Sequence, residues 1–127
     1  MNKKTILIIA SILGILGVIL GAMGAHILEA SLNADQLESY KTGVRYQMWH
    51  TLALLFLFAA SDKIKHSGTT AILWTLGVIL FSGSIYLLSM REVWGIDLSW
   101  LGPITPIGGL LMIAGWAVLM MSGFKVK

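Results

Sequence analysis

TILIIASILGILGVILGAMGA, residues 5–25, is the stretch whose reading decides the fold of this chain. It contains no charged side chain. Its length, about twenty residues, is what a helix rising about 1.5 Å per residue needs to cross the hydrocarbon of a bilayer. Lys3 and Lys4 ahead of it, and the small residues around Ala22 and Ala25, also fit a secretory signal. The apolar run exceeds the core of such a signal, so the segment is read as a retained span. It carries a second pattern. Ala10, Gly14, Gly17, Gly21 and Gly24 succeed one another at intervals of four, three, four and three. That stripe stays on one side of a helix and favours left-handed crossing. In lipid, burial of apolar surface does not drive helices together, so close approach across small residues must do it.

Working outward, three more continuously apolar stretches lie at residues 44–60, 69–90 and 103–122. Strands of a membrane barrel alternate and run about ten residues, so they are excluded. Gly77 stands seven residues before Ser84, and Gly108, Gly115 and Ser122 are spaced by seven. These too read as packing faces. The expected fold is therefore all-α: an integral-membrane four-helix bundle forming a single domain over residues 1–127, with the first span near its centre. Composition agrees. Of 127 residues, 57 % are hydrophobic and only 12 % charged. A soluble domain of this size has no interior large enough for that apolar surface, which makes the lipid bilayer the first partner. The net charge of +3 comes from dispersed Lys and Arg, with no basic stripe for nucleic acid. There is no cysteine, so disulfides, thiolate metal sites and a cysteine nucleophile are ruled out.

The connections hold the polar residues. Between the first and second spans, Asn33 with Gln36 three residues on has the spacing of a capping box. Leu37, Tyr40 and Val44 then share a face, predicting a short amphipathic surface helix that leads into the second span, with Gly43 as a place to bend. Orientation follows from Lys and Arg. Lys3, Lys4, Lys63, Lys65, Lys125 and Lys127 fall on one side of a four-span chain, against Lys41, Arg45 and Arg91 on the other. Both termini are thus expected in the cytoplasm. Tyr40, Tyr46, Trp49, Trp94 and Trp100 sit near the predicted outer surface, where aromatic rings anchor at the headgroups.

Several polar groups fall in or beside the spans, where they are costly. His26 closes the first span, with Glu29 three residues on. Arg45 is placed to snorkel and to pair with Glu29, Glu38 or a lipid phosphate. His50 shares a helix face with Tyr46 and Gln47. His26 and His50 enter from the same side, so a shared metal site with Glu29 or a proton relay is conceivable. A hydrogen-bonded cluster that fixes helix register is the better account. Thr105 reads as a cap for a turn opening at Pro106. In Phe81-Ser82-Gly83-Ser84-Ile85-Tyr86, two hydroxyls and a Gly fall in the middle of the third span, where serines bond back to their own helix or to a neighbour. No nucleophile elbow, phosphate loop or zinc-protease motif occurs, and no acidic residue lies deep in any span. No cofactor or metal is expected.

These motifs together resemble a known family. Gly21-Ala22-Met23-Gly24-Ala25-His26, Thr42-Gly43-Val44-Arg45-Tyr46-Gln47-Met48-Trp49-His50, Phe81-Ser82-Gly83-Ser84-Ile85-Tyr86 and Leu101-Gly102-Pro103-Ile104-Thr105-Pro106-Ile107-Gly108-Gly109 are similar to segments of the small bacterial membrane proteins grouped as domain of unknown function 423. That family is related to eukaryotic transmembrane protein 256. The resemblance implies a multi-pass protein of the bacterial cell membrane. It carries no activity and no catalytic residue to transfer. The expected function is non-enzymatic: support of the envelope, or an accessory role beside a homo-oligomer or membrane-protein partner. The alternative is a small oligomeric transporter or channel with a polar entry near His26 and His50, and the third is a membrane-embedded lipid-modifying enzyme.

Overall fold

In the computed structural model, which describes residues 1–124 and 126, the chain forms four long helices: α1 (Lys3–His26), α2 (Ala34–Ala60), α3 (Ser67–Trp94) and α4 (Ile104–Gly123). Single 3-10 turns precede α2 and α4, and there is no strand among the described residues. Lys125 and Lys127, counted in the charge balance, lie outside the described residues.

Local chemistry sets the ends. Asn2 Oδ1 accepts the Thr5 N–H at 2.9 Å and caps α1. The capping box at α2 is complete, with Gln36 N–H donating to Asn33 Oδ1 at 2.8 Å and Asn33 N–H to Gln36 Oε1 at 3.1 Å. α3 stops at Gly95, whose φ of 64° is left-handed. The Gly95 and Ile96 amides turn back onto the Glu92 and Arg91 carbonyls, a glycine-dependent helix end. In the loop that follows, the Ser99 N–H donates to the exposed Asp97 and holds its carboxyl below the ordinary carboxylate pKa.

Three segments are long and apolar enough to cross a membrane: α1, α3, and α4 with the turn before it. The fourth expected span, residues 44–60, falls in α2, which does not reach that measure. Arg45, Gln47 and His50 dilute its middle, and its unbroken apolar run starts only after Thr51. A correction concerns its front. The expected separate surface helix is the first part of α2 itself, which runs through Gly43 without interruption. Gly43 is buried, and its carbonyl accepts the Ser82 hydroxyl at 2.7 Å. A side chain there would stand 2.9 Å from the Tyr86 ring. It is a contact point, not a hinge.

The helices pack in sequence order, α1 on α2, α2 on α3, α3 on α4, with α3 also touching α1. Gly24 opposes Tyr40, Gly21 opposes Val44, and Gly14 opposes Thr51, so α1 and α2 are antiparallel. The whole small-residue stripe of α1 from Gly14 to Gly24 faces α2. This places α1 at an edge, not at the centre as expected: a stripe on one side serves one neighbour. Its other side, with Ile8, Ile12, Ile15, Val18 and Ile19, is exposed. The backbones of α3 and α4 approach closely where Gly108 lies against Leu80 and Phe81. Ile6, Ala10 and Leu13 of α1 meet Leu54 and Leu57 of α2, Trp74 and Val78 of α3 and Met112 of α4 in the main core.

Candidate functional site

The buried interior holds Gln47, His50, Thr51, Thr70, Thr75, Ser82, Ser84, Ser89 and Ser122, while large apolar side chains cover the outside. Such an inversion is stable only where the surroundings are apolar. Inside, polar groups need partners: Thr51 and Thr75 bond back to their own helices, while Gln47 and Ser82 reach neighbouring ones.

Gln47 is the hub. It is 3 % exposed. Its Nε2 donates to the Leu13 carbonyl of α1 at 2.8 Å, and its Oε1 accepts the Tyr86 hydroxyl of α3 at 2.6 Å. One amide thus joins three helices. Two turns nearer the α2 start, the Tyr40 hydroxyl donates to the Leu20 carbonyl at 2.6 Å. Tyr40 is only 2 % exposed because Gly24 has no side chain to displace its ring. It is therefore an interior residue, which corrects its place among the surface aromatics; Trp49, Trp94 and Trp100 are exposed.

His50 sits one turn beyond Tyr46, flanked by Trp74 and Trp116 with ring centroids 5.9 and 6.0 Å away. Trp116 Nε1 donates to His50 Nε2 at 3.1 Å, and His50 Nδ1 lies 2.8 Å from the Tyr46 carbonyl. An indole N–H only donates, so Nε2 must accept and Nδ1 carries the proton. The network assigns a neutral imidazole with both nitrogens occupied. Trp74 itself is fully buried, and its Nε1 and the Thr70 hydroxyl have no partner among the described residues. Gly115 makes room for that indole: a side chain there would stand 2.6 Å from Nε1.

The residues singled out in the sequence do not form one cluster. Gln47 and His50 belong to the interior network, to which the exposed Tyr46 contributes only its backbone carbonyl. His26 and Glu29 are exposed at the far end of α1. Since Gly14 is level with Thr51, His26 is about 18 Å along the axis from His50. The conceivable meeting of the two histidines is thereby corrected. No group of three His, Asp or Glu is placed to share a metal ion among the described residues. Arg45 pairs with Glu38 at 2.8 Å, both largely exposed, an interaction of about 0–1 kcal/mol. Thr105 does not cap α4, which begins one residue earlier; its hydroxyl meets Ser84 of α3 at 2.6 Å. Sequence reasoning missed Trp116 and Trp74 altogether, and it gave Tyr86 no partner. The available signal was the position of each Trp in mid-span, away from the interfaces that Trp favours.

The fold and the network define an all-helical membrane protein held together by interhelical hydrogen bonds. A family model described as protein of unknown function (DUF423) matches residues 20–109, and the chain belongs to that family. Among its relatives, the membrane protein YwdK of Bacillus subtilis is 38 % identical, with 96 % of this chain and 98 % of that protein covered. A membrane protein of Staphylococcus haemolyticus is 40 % identical over 96 % of this chain and 97 % of its own. The inner membrane protein YgdD of Escherichia coli is 34 % identical over 100 % and 95 %. All three carry the family designation UPF0382. No solved structure matches the chain.

Proposed function

We propose that the chain is a single-domain, four-span protein of the bacterial cell membrane with both termini in the cytoplasm. Its role is non-enzymatic, supporting the envelope or a partner complex. The carrying observation is the closure of the interior: the Gln47 amide, the Tyr86 and Tyr40 hydroxyls, the Trp116 N–H and His50 Nε2 are used between helices, and His50 Nδ1 is taken by the Tyr46 carbonyl of its own helix. Side chains committed in this way are not free to take a proton from a substrate or to line a water path. Gln47 and His50 are thereby lost to the transport and lipid-modification readings, which are left with the exposed His26, Glu29 and Arg45. α2 spans in this reading because its polar groups turn inward while Trp49, Leu52 and Phe56 face outward.

The test is capture of the tagged chain from mild detergent. A stoichiometric partner, either a second copy or another membrane protein, is expected; a chain that always purifies alone counts against the accessory role. Solute flux into liposomes that falls with His50→Ala or Gln47→Ala would instead favour transport.

A further inference from the structure

We propose that a cavity at the end of the molecule opposite the chain termini binds a zwitterionic amino-phosphate group, an ammonium joined by a short linker to a phosphate. The cavity measures about 320 Å³ and lies between the first turns of α2, the last turns of α3 and the start of α4. That volume falls within the roughly 300–1,000 Å³ of small-molecule sites.

Asp35, Ser39, Ser89 and Arg91 line it, with Ile85 and Leu88 as an apolar wall. Opposite charges close up at Arg45–Glu38, 2.8 Å, and at Lys3–Asp62, 2.7 Å. Asp35 and Arg91 share one cavity yet make no ion pair with each other or with any other described residue. The cavity stands between them, and one small molecule that answers both must carry both signs. Guanidinium matches phosphate through paired N–H donors, and a carboxylate takes an ammonium. Ser89 adds an independent observation. It is only 4 % exposed, it lines the cavity, and no described group takes its hydroxyl. That hydroxyl is not among the enclosed polar atoms that lack a partner, so it opens onto the cavity and is placed to bond a ligand oxygen. Ile85 and Leu88 continue the wall toward the apolar body of α3, the direction acyl chains would take.

The shared chemistry has two sources, the headgroup of phosphatidylethanolamine and free phosphoethanolamine. This inference does not depend on the accessory role; it needs only that the end of α3 lies at the membrane surface. The test is native mass spectrometry of the full chain in detergent micelles, titrated with dioleoyl phosphatidylethanolamine, phosphatidylglycerol or phosphatidylcholine. Thermal protection by phosphoethanolamine is measured in parallel. Phosphatidylethanolamine is expected to form its adduct at about tenfold lower concentration than the other two. Phosphatidylglycerol lacks the ammonium, and phosphatidylcholine lacks its N–H donors. Asp35→Asn and Arg91→Gln should each remove the preference, while Glu92→Gln, outside the cavity, keeps it. Lipid preference without protection by phosphoethanolamine assigns the membrane source, and protection by phosphoethanolamine assigns the soluble one. Both substitutions replace exposed side chains without ion pairs, and circular dichroism melting checks that the fold persists. Equal adducts of the three lipids without protection by phosphoethanolamine, or a preference that survives both substitutions, would overturn the proposal.

Discussion

At the scale of single residues, glycines differ sharply in what they permit. A methyl group added at Gly108 meets the backbone of α3, with the Leu80 carbonyl carbon at 2.8 Å and the Phe81 amide closer still. Backbone does not yield as a side chain does, so the helices must separate. At Gly83 an added methyl meets nothing within 4 Å. Gly108→Ala is therefore expected to destabilise by about 3 kcal/mol, while Gly83→Ala is neutral or stabilises by up to about 1 kcal/mol through helix propensity. Denaturant unfolding in micelles separates the two; equal effects would show that the α3–α4 approach is looser than described. The Gln47 hub makes a second ranking. Tyr86→Phe removes one donor and should cost about 0.6 kcal/mol, with about 1.7 as the ceiling for such bonds in membranes. Gln47→Leu removes two bonds and strands the Tyr86 hydroxyl, so it should cost more than Tyr86→Phe in the same assay. A silent Gln47→Leu would mean that the network contributes nothing. Gln47 and His50 were legible as candidates because polar groups in an apolar run stand out. Their partners were not, because Tyr86 and Trp116 lie 39 and 66 residues away, and no helical spacing connects them.

At the scale of elements, the sequence was most informative where lipid is the solvent. α1, α3 and α4 show apolar residues to the bilayer all along their length, and their runs announce them. α2 uses the opposite arrangement. Gln47, His50 and Thr51 point inward to the other helices, so its mean composition understates its suitability for the membrane. The glycine stripe of α1 was legible as a packing face, but its pattern cannot say whether one helix or several pack there; the structure gives one. Gly43 was misread for a related reason. A glycine marks a bend or a close contact, and only the arrival of Tyr86 and Ser82 decides between them. An insertion reporter gives the element-scale prediction. Residues 40–60 placed alone in a host protein should insert poorly, and residues 69–90 efficiently. Replacing Gln47 and His50 together by Leu should raise insertion of the first segment, since each polar residue near a helix centre opposes partitioning. Efficient insertion of the unaltered segment would mean that α2 needs no help from α1 and α3.

At the scale of the whole molecule, the antiparallel order of four helices brings both chain ends to one end of the protein. The Ser122 hydroxyl donates to the Lys65 carbonyl, and the Met1 backbone lies beside Gly68. If α2 spans with the others, the two termini share a compartment whichever way the protein is inserted, and Lys and Arg choose which compartment. Reporters fused at either end should therefore give the cytoplasmic signal, and one inserted in the exposed loop near Asp97 the opposite signal. Replacing Lys3, Lys4 and Lys63 by Gln leaves three basic residues on each side. Lys3 contributes only an exposed pair with Asp62, so the fold should survive its loss. With the bias removed, insertion should become mixed, and a fraction of molecules should present their termini outside. Opposite signals from the two ends of the unaltered chain would require an odd number of crossings. They would leave α2 at the surface, and its inward polar hub would then have to form without a surrounding bilayer.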